Sequence, residues 1–336
     1  MTHTASYCYL SSQEWDDKIA GLSRIASSCS LCPRNCGVNR LENKRGFCGA
    51  PDQMIISSIF PHHGEEPPIS GNNGSGTVFF SYCTLKCCFC QNYQISHEYE
   101  GRPYTNEELA DAMLELQNKG CHNINLVTST HYMHRVVASL KIAAAKGLSI
   151  PVVYNSSGYE NTSVLELLNG IIDIYLPDMK YGNNVFATKY SKAPDYVERN
   201  REAIRTMFRQ TGSLRCDQFD NAYRGLCIRH LVLPGAVDSS LQILDFLKAT
   251  FDPSDISVSL MSQYRPLYNA VSFPEINRMI TGDEYNRVKD AFVNAGFQVF
   301  FQEIGEQDKG FIIDFTKRKS EALTGDDSGS NPPTLI

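Results

Sequence analysis

Four cysteines stand within eight residues, Cys83-Thr84-Leu85-Lys86-Cys87-Cys88-Phe89-Cys90, directly after an apolar run from Gly76 to Tyr82. Reactive thiols this close together need a reason to be tolerated, and the plainest reason is that a metal holds them. Thiolates two or three residues apart on a loop can wrap the corners of one iron–sulfur cubane. Cys83, Cys87 and Cys90 supply three ligands, which leaves one iron without a protein partner, and an open metal position is where a small molecule binds. Cys88 reads as a non-ligand, although spacing alone permits it to exchange places with Cys87. The competing readings of the run are a zinc knuckle or a set of inert core thiols.

The sequence after residue 76 supports a loop of this kind at a strand end. Short β-branched runs at Thr77–Tyr82, Asn123–Thr128, Pro151–Asn155, Ile171–Leu176, Leu226–Leu233, Ile256–Met261 and Gln298–Gln302 alternate with helical patterns. This alternation is the signature of repeated βαβ units around a parallel sheet. Thr105 and Glu108 form a capping-box pattern, after which Leu109, Ala112, Met113 and Leu116 recur at helical spacing until Gly120. Val136, Val137, Leu140, Ala143 and Ala144 mark a second helix closed by Gly147, and others are expected at 162–169, 195–210, 238–250 and 282–295. Six or seven such units are too few to close an eight-stranded barrel. The fold class expected is α/β, an open, partial (β/α)6-type barrel with its functional loops at the C-terminal ends of the strands. A chain of 336 residues, 42% of them hydrophobic, can fill such a core without disulfides.

Residues 1–75 read as a Cys-rich N-terminal extension: a helical lead at 12–28, a cysteine cluster, and Pro- and Gly-containing sequence from Pro61 to Gly76. Residues 76–310 form the core domain. The tail, 311–336, carries Gly, Ser, Asp and Pro from Thr324 onward and is expected to be largely disordered. Cys29, Cys32, Cys36 and Cys48 offer four thiolates, with Pro33, Gly37, Gly46 and Gly49 allowing tight turns. Four sulfurs close a coordination sphere, either around structural zinc or as an auxiliary iron–sulfur cluster, and ligand softness does not choose between them. Arg34, Arg40, Lys44 and Arg45 among them either offset the thiolate charge or form a solvated basic face. His62 and His63 are accessory-ligand candidates or a surface turn.

A formal charge of −6 lacks the basic excess of proteins that track phosphate backbones, so no nucleic-acid partner is expected. No apolar stretch is long enough to cross a bilayer, and Met1–Leu10 lacks a signal-peptide pattern, so the expected location is cytoplasmic, away from membranes.

The C-x3-C-x2-C spacing, with Phe89 before its last cysteine and a strand before its first, resembles the radical S-adenosylmethionine (SAM) superfamily. The resemblance implies a [4Fe-4S] cluster on Cys83, Cys87 and Cys90 whose open iron chelates SAM. It also implies reductive cleavage of SAM to a 5′-deoxyadenosyl radical, which takes hydrogen from a substrate. SAM would lie across the barrel mouth, near Ser129, Thr130 and His131 after the second strand, Asn155 and Ser156 after the third, and Asp178 and Lys180 after the fourth. The second-strand loop departs from the pattern, since Val127-Thr128-Ser129-Thr130-His131 stands where many relatives carry Gly-Gly-Glu. Asp178-Met179-Lys180 and the turn at Pro234-Gly235 are similar to elements of pyruvate formate-lyase activating enzyme. The segments Cys29 to Arg40, Glu65-Glu66-Pro67-Pro68 and Gly74-Ser75-Gly76-Thr77 resemble an activase-like subgroup. A protein or peptide substrate and a flavodoxin- or ferredoxin-type electron donor follow from that resemblance. The alternative functions are an iron–sulfur electron-transfer protein that does not cleave SAM, and a zinc-bearing binding module built on residues 29–48.

Overall fold

The structure, a computed structural model, describes residues 3–302, 304, 313–316 and 334–335. Its strands are β1 (Met54–His62), β2 (Ser75–Phe80), β3 (Arg102–Tyr104), β4 (Ile124–Val127), β5 (Val152–Ser156), β6 (Ile174–Pro177), β7 (Arg215–Cys216), β8 (Ala222–Leu231), β9 (Ser257–Met261), β10 (Gln298–Phe301) and β11 (Thr334–Leu335). The strands β2, β4, β5, β6, β8, β9 and β10 hydrogen-bond side by side in that order, every pair parallel. They are the seven strands the β-branched runs predict. β1 flanks β2 and β11 flanks β10, both antiparallel, so the described sheet does not close on itself. One cavity is lined from all seven parallel strands or the residues just after them, so the sheet curls around it as a partial barrel.

The helices begin and end where local chemistry dictates. Asn106–Asn118 starts at a capping box, Thr105 Oγ1 accepting from Glu108 N (3.1 Å) and Glu108 Oε2 from Thr105 N (2.7 Å). Such a box satisfies donors left orphaned at a helix start. Ser11 with Glu14 and Thr281 with Glu284 repeat the device at Ser12–Ser27 and Gly282–Asn294. The helices on either side of β5, Met133–Ala145 and Thr162–Leu168, bury Val136, Leu140, Val164 and Leu165 against the sheet.

Residues 54–75 do not stand apart from the barrel at residue 76. β1 pairs with β2 from Ile56↔Phe80 to His62↔Ser75. Trp15, Leu22 and Ala26 of the first helix belong to the same continuous core as Val78, Leu126 and Leu140. The Met54–His62 strand lacks a legible alternation because a register shift between Ile56 and Ser58 interrupts its period of two. Most of the tail from 311 lies outside the described residues, but Phe315 is fully buried against Phe79 (centroids 5.2 Å apart). No helix among the described residues is long and apolar enough to cross a membrane.

Candidate metal and cofactor site

Tyr82, in the left-handed region at φ 71°, turns the chain out of β2 and into the cysteine loop. Cys83, Cys87 and Cys90 all face a cavity of about 220 Å³ at the C-terminal ends of the strands. Each sulfur has a hydrogen-bonding neighbour: Leu85 N donates to Cys83 Sγ (3.4 Å), Ser191 Oγ to Cys87 Sγ (2.9 Å), and Ser96 Oγ lies 3.1 Å from Cys90 Sγ. Burial pushes the Cys83 thiol up to about 12 and that of Cys90 to about 11. Thiolates at this site therefore need a bound cation to hold their charge.

Among the described residues no three His, Cys, Asp or Glu side chains converge on a point where a single ion would sit. A cubane does not ask for that, because each thiolate binds a different iron. Three thiols around one cavity, each with a partner suited to a sulfur anion, fit such a cluster. Cys88 does not share the cavity. Its amide donates to Tyr190 O (2.8 Å), its carbonyl accepts from Asn269 N (2.9 Å), and its thiol lines a separate outer hollow.

The end of β5, with Asn155 and Ser156, and the loop after β6, with Asp178 and Lys180, complete the cavity. They are locked together. Gly158, at φ 70°, passes so close to the other loop that a Cβ would stand 2.1 Å from Asp178 O. Asn200 Nδ2 donates to both Gly158 O (3.1 Å) and Asp178 O (2.9 Å), and Tyr196 OH donates to Ser157 O (2.8 Å). Lys180 Nζ pairs with Asp178 Oδ2 at 2.5 Å. Burial alone would pull the ammonium down, but the Asp178 carboxylate and the Cys87 thiol hold it above the ordinary lysine value. Lys180 is thus a fixed cation beside the thiol loop, able to receive a carboxylate.

Ser129, Thr130 and His131 do not line the cavity; Thr128 does. Thr128 adopts φ 58°, and the short 3-10 turn that follows sends the next three side chains into the protein interior. Thr130 Oγ1 donates to Glu160 Oε1 (2.8 Å) and accepts from Tyr154 OH (2.8 Å). Burial pushes the Glu160 carboxyl up to about 7. His131 Nε2 donates to Ser81 O (2.8 Å), and burial pulls its imidazole down to about 3, so it stays neutral. Its place is behind the end of β2, steadying the residue two before Cys83. Ser129 is buried with its hydroxyl unpartnered.

Arg229 of β8 lies in the cavity wall, where sequence reading placed no site residue. Its guanidinium bonds Glu65 Oε2 (2.6 Å) and Glu66 Oε1 (2.8 Å), and Asn125 Nδ2 donates to Glu65 Oε1 (2.8 Å). Glu66 Oε2 is buried without a partner. A guanidinium inside a buried parallel strand is costly unless paired, so Arg229 in Leu226-Cys227-Ile228-Arg229-His230 was the available signal. From the β9 end, Met261 and Gln263 line the cavity, whereas Ser262 and Tyr264 do not; Tyr264 OH donates to Ile276 O (2.7 Å).

The N-terminal cysteines sit on one set of turns, but no three of them converge on a point where a single ion would sit. Gly37 N donates to Cys29 O (3.0 Å), Asn35 N to Cys32 O (3.1 Å), and Phe47 N to Cys36 Sγ (3.2 Å). At Gly46 a Cβ would stand 2.7 Å from Cys36 Sγ, so that close approach requires glycine. Arg40 is fully buried, donating to Cys48 Sγ (3.6 Å) and Pro51 O (2.9 Å), which is the charge-offsetting role and not that of a solvated face. Lys44 is solvated and pairs with Glu42. Arg34 Nε donates to Thr84 O (3.0 Å), fastening this knuckle to the Cys83 loop. His62 lines the barrel cavity.

Residues 77–247 match the radical SAM superfamily. A protein of Methanocaldococcus jannaschii described as uncharacterized is 32% identical over 283 residues, covering 81% of this chain and 76% of that protein. Among solved structures, a radical SAM methyltransferase from Sphaerobacter thermophilus is similar with a TM-score of 0.44 at 12% identity, over 70% of this chain and 68% of that one. Native anSMEcpe with bound AdoMet is similar with a TM-score of 0.40 at 12% identity, over 69% and 62% of the two chains. The fold and the cysteine loop define a SAM-dependent iron–sulfur enzyme. This chain belongs to the radical SAM superfamily, whose chemistry uses a [4Fe-4S] cluster and SAM.

Proposed function

We propose that the protein is an activating-enzyme-like radical SAM oxidoreductase of the cytoplasm that takes hydrogen from a protein or peptide substrate, such as a glycine Cα. A flavodoxin- or ferredoxin-type protein supplies its electrons. The observation that carries this reading is the sharing of one cavity by the Cys83, Cys87 and Cys90 thiols and the Asp178–Lys180 pair.

When bound, the cluster supplies the electron that splits a sulfonium C–S bond of SAM. The chain's own residues do the rest. Lys180 receives the carboxylate of the methionine moiety, and Asp178 keeps that lysine charged and aimed. Asn155 and Ser156 offer amide and hydroxyl groups to the polar parts of the nucleoside. Ser129, Thr130 and His131 support the loop from behind. Apolar Phe79, Phe89 and Val127 on the wall limit water around the reacting atoms. A cavity of about 220 Å³ is small beside the ~300–1,000 Å³ of ordinary ligand pockets. An electron carrier that does not cleave SAM would have no use for a half-buried Asp178–Lys180 pair in the wall of this cavity.

Cys29, Cys32, Cys36 and Cys48 are the candidate ligands of a second metal site, zinc or an auxiliary iron–sulfur cluster; no three of them converge on a single-ion point, so zinc requires the thiols to draw together on binding. Metal analysis of a variant lacking all three barrel cysteines distinguishes these as retained zinc or retained iron.

The test is anaerobic reconstitution with iron and sulfide, followed by dithionite and SAM, with 5′-deoxyadenosine measured by chromatography. The nucleoside is expected from the native protein and not from Cys83→Ala. Its absence from native protein carrying an intact, reduced cluster would overturn the proposal.

A further inference from the structure

On the far side of the cysteine loop from the barrel cavity lies a hollow of about 390 Å³. Its rim carries Lys86, Lys189 and Lys192, and its walls are aromatic, with Phe47, Tyr99 and Tyr268 all exposed by more than a third. Buried Cys88 sits at its floor, one residue from the ligand Cys87. Resting on the functional reading above, we infer that this surface is the docking site of an acidic, low-potential, one-electron donor protein.

Two independent observations carry the inference. The first is charge. In a chain of net charge −6, three lysines gather at one hollow, with the Arg34 guanidinium packed on the Phe47 ring at 3.8 Å beside them. Lys189 pairs with Glu275 at 2.6 Å, and Glu98 is exposed next to His97, yet neither Lys86 nor Lys192 makes an ion pair with a described residue. A local excess of one sign on a surface of the other steers a complementary partner and governs its rate of association.

The second is the route inward. Tyr268, 46% exposed, stacks on the His97 ring with centroids 4.3 Å apart. His97 Nε2 lies 3.1 Å from the Cys87 carbonyl oxygen and donates to it. A donor seated on the aromatic rim is therefore linked through two rings and one hydrogen bond to a cysteine that holds the cluster. SAM and substrate use the opposite face, so the donor need not compete with them. The transfer is one electron: the donor's reduced group is oxidised by one, and the cluster is reduced by one.

The experiment compares native protein with Lys189→Glu/Lys192→Glu, leaving Lys86 unchanged because it lies inside the ligand loop. A flavodoxin is the probe. Its affinity is measured by calorimetry across a salt series, and its rate of cluster reduction, after photoreduction, by stopped-flow bleaching. The double variant is expected to lose at least about tenfold in affinity and rate at low salt, with a flatter salt dependence, while dithionite-driven formation of 5′-deoxyadenosine is unchanged. Lys248→Glu, on the helix Val237–Thr250, serves as the control for a lysine reversed outside the hollow and is expected to behave as native. Unchanged flavodoxin affinity and rate, an equal loss in Lys248→Glu, or an equal loss with dithionite would each overturn the docking site. Failure of native protein to cleave SAM with dithionite would instead strike the functional reading and leave the calorimetry to be judged by itself.

Discussion

Cys87 and Cys88 are neighbours in sequence but face opposite sides of their loop, one toward the barrel cavity and the other toward the outer hollow. The difference lies in the backbone, because the amide and carbonyl of Cys88 are both tied to other segments, Tyr190 and Asn269. Cys88→Ala is therefore expected to keep the iron content and SAM-responsive spectrum of the native protein. Cys87→Ala is expected to lose a whole cluster, on the order of four irons per chain. Iron analysis with electron paramagnetic resonance checks both, and a Cys88→Ala protein without cluster would show that the ligand assignment is wrong. The ligand spacing was legible in the sequence, but which of two adjacent thiols faces inward was not, because it depends on hydrogen bonds to residues 102 and 181 positions away.

At the scale of elements, the N-terminal segment is fastened to the helix Met133–Ala145 through Asp52. Its carboxylate accepts from His134 Nε2 at 2.8 Å and also from the Arg135 guanidinium. Burial alone would raise the Asp52 pKa, but these two bonds outweigh it and hold the carboxyl down to about 2. A folded value below the unfolded one means stability that is fully present above about pH 4 and is lost as pH falls toward 2. Asp52→Asn is expected to cost about 1–3 kcal/mol at neutral pH and to flatten the acid limb of stability between pH 4 and 2. Urea unfolding at a series of pH values measures both, and an unchanged acid limb would assign it to other groups. Nothing in the local sequence announces this contact, since Asp52 and His134 are 82 residues apart.

For the whole molecule, the pairing of β1 with β2 and the continuous core predict that the chain does not divide at residue 76. A protein beginning there would expose the β2 edge and remove Trp15, Leu22 and Met54 from the core. An exposed apolar strand edge invites aggregation. The truncated protein is expected to lose cooperative unfolding and SAM binding, and a 1–70 fragment is expected to be unfolded by circular dichroism and limited proteolysis. A soluble 76–336 chain that still binds SAM would show that the extension is separable.

The sequence by itself determined the seven parallel strands, the capped helices between them and the three-cysteine loop at the end of the first. These follow from periodicity, capping pairs and ligand spacing, all of which act between residues a few positions apart. Tertiary structure alone decided that Arg229 meets Glu65 and Glu66 in the cavity wall, that Ser129, Thr130 and His131 turn inward while Thr128 faces the cavity, and that β1 completes the sheet. The physical reason is distance along the chain. Which side of a loop a side chain takes, and which charge a buried guanidinium finds, is set when the sheet curls and brings into contact segments from 30 to 164 residues apart.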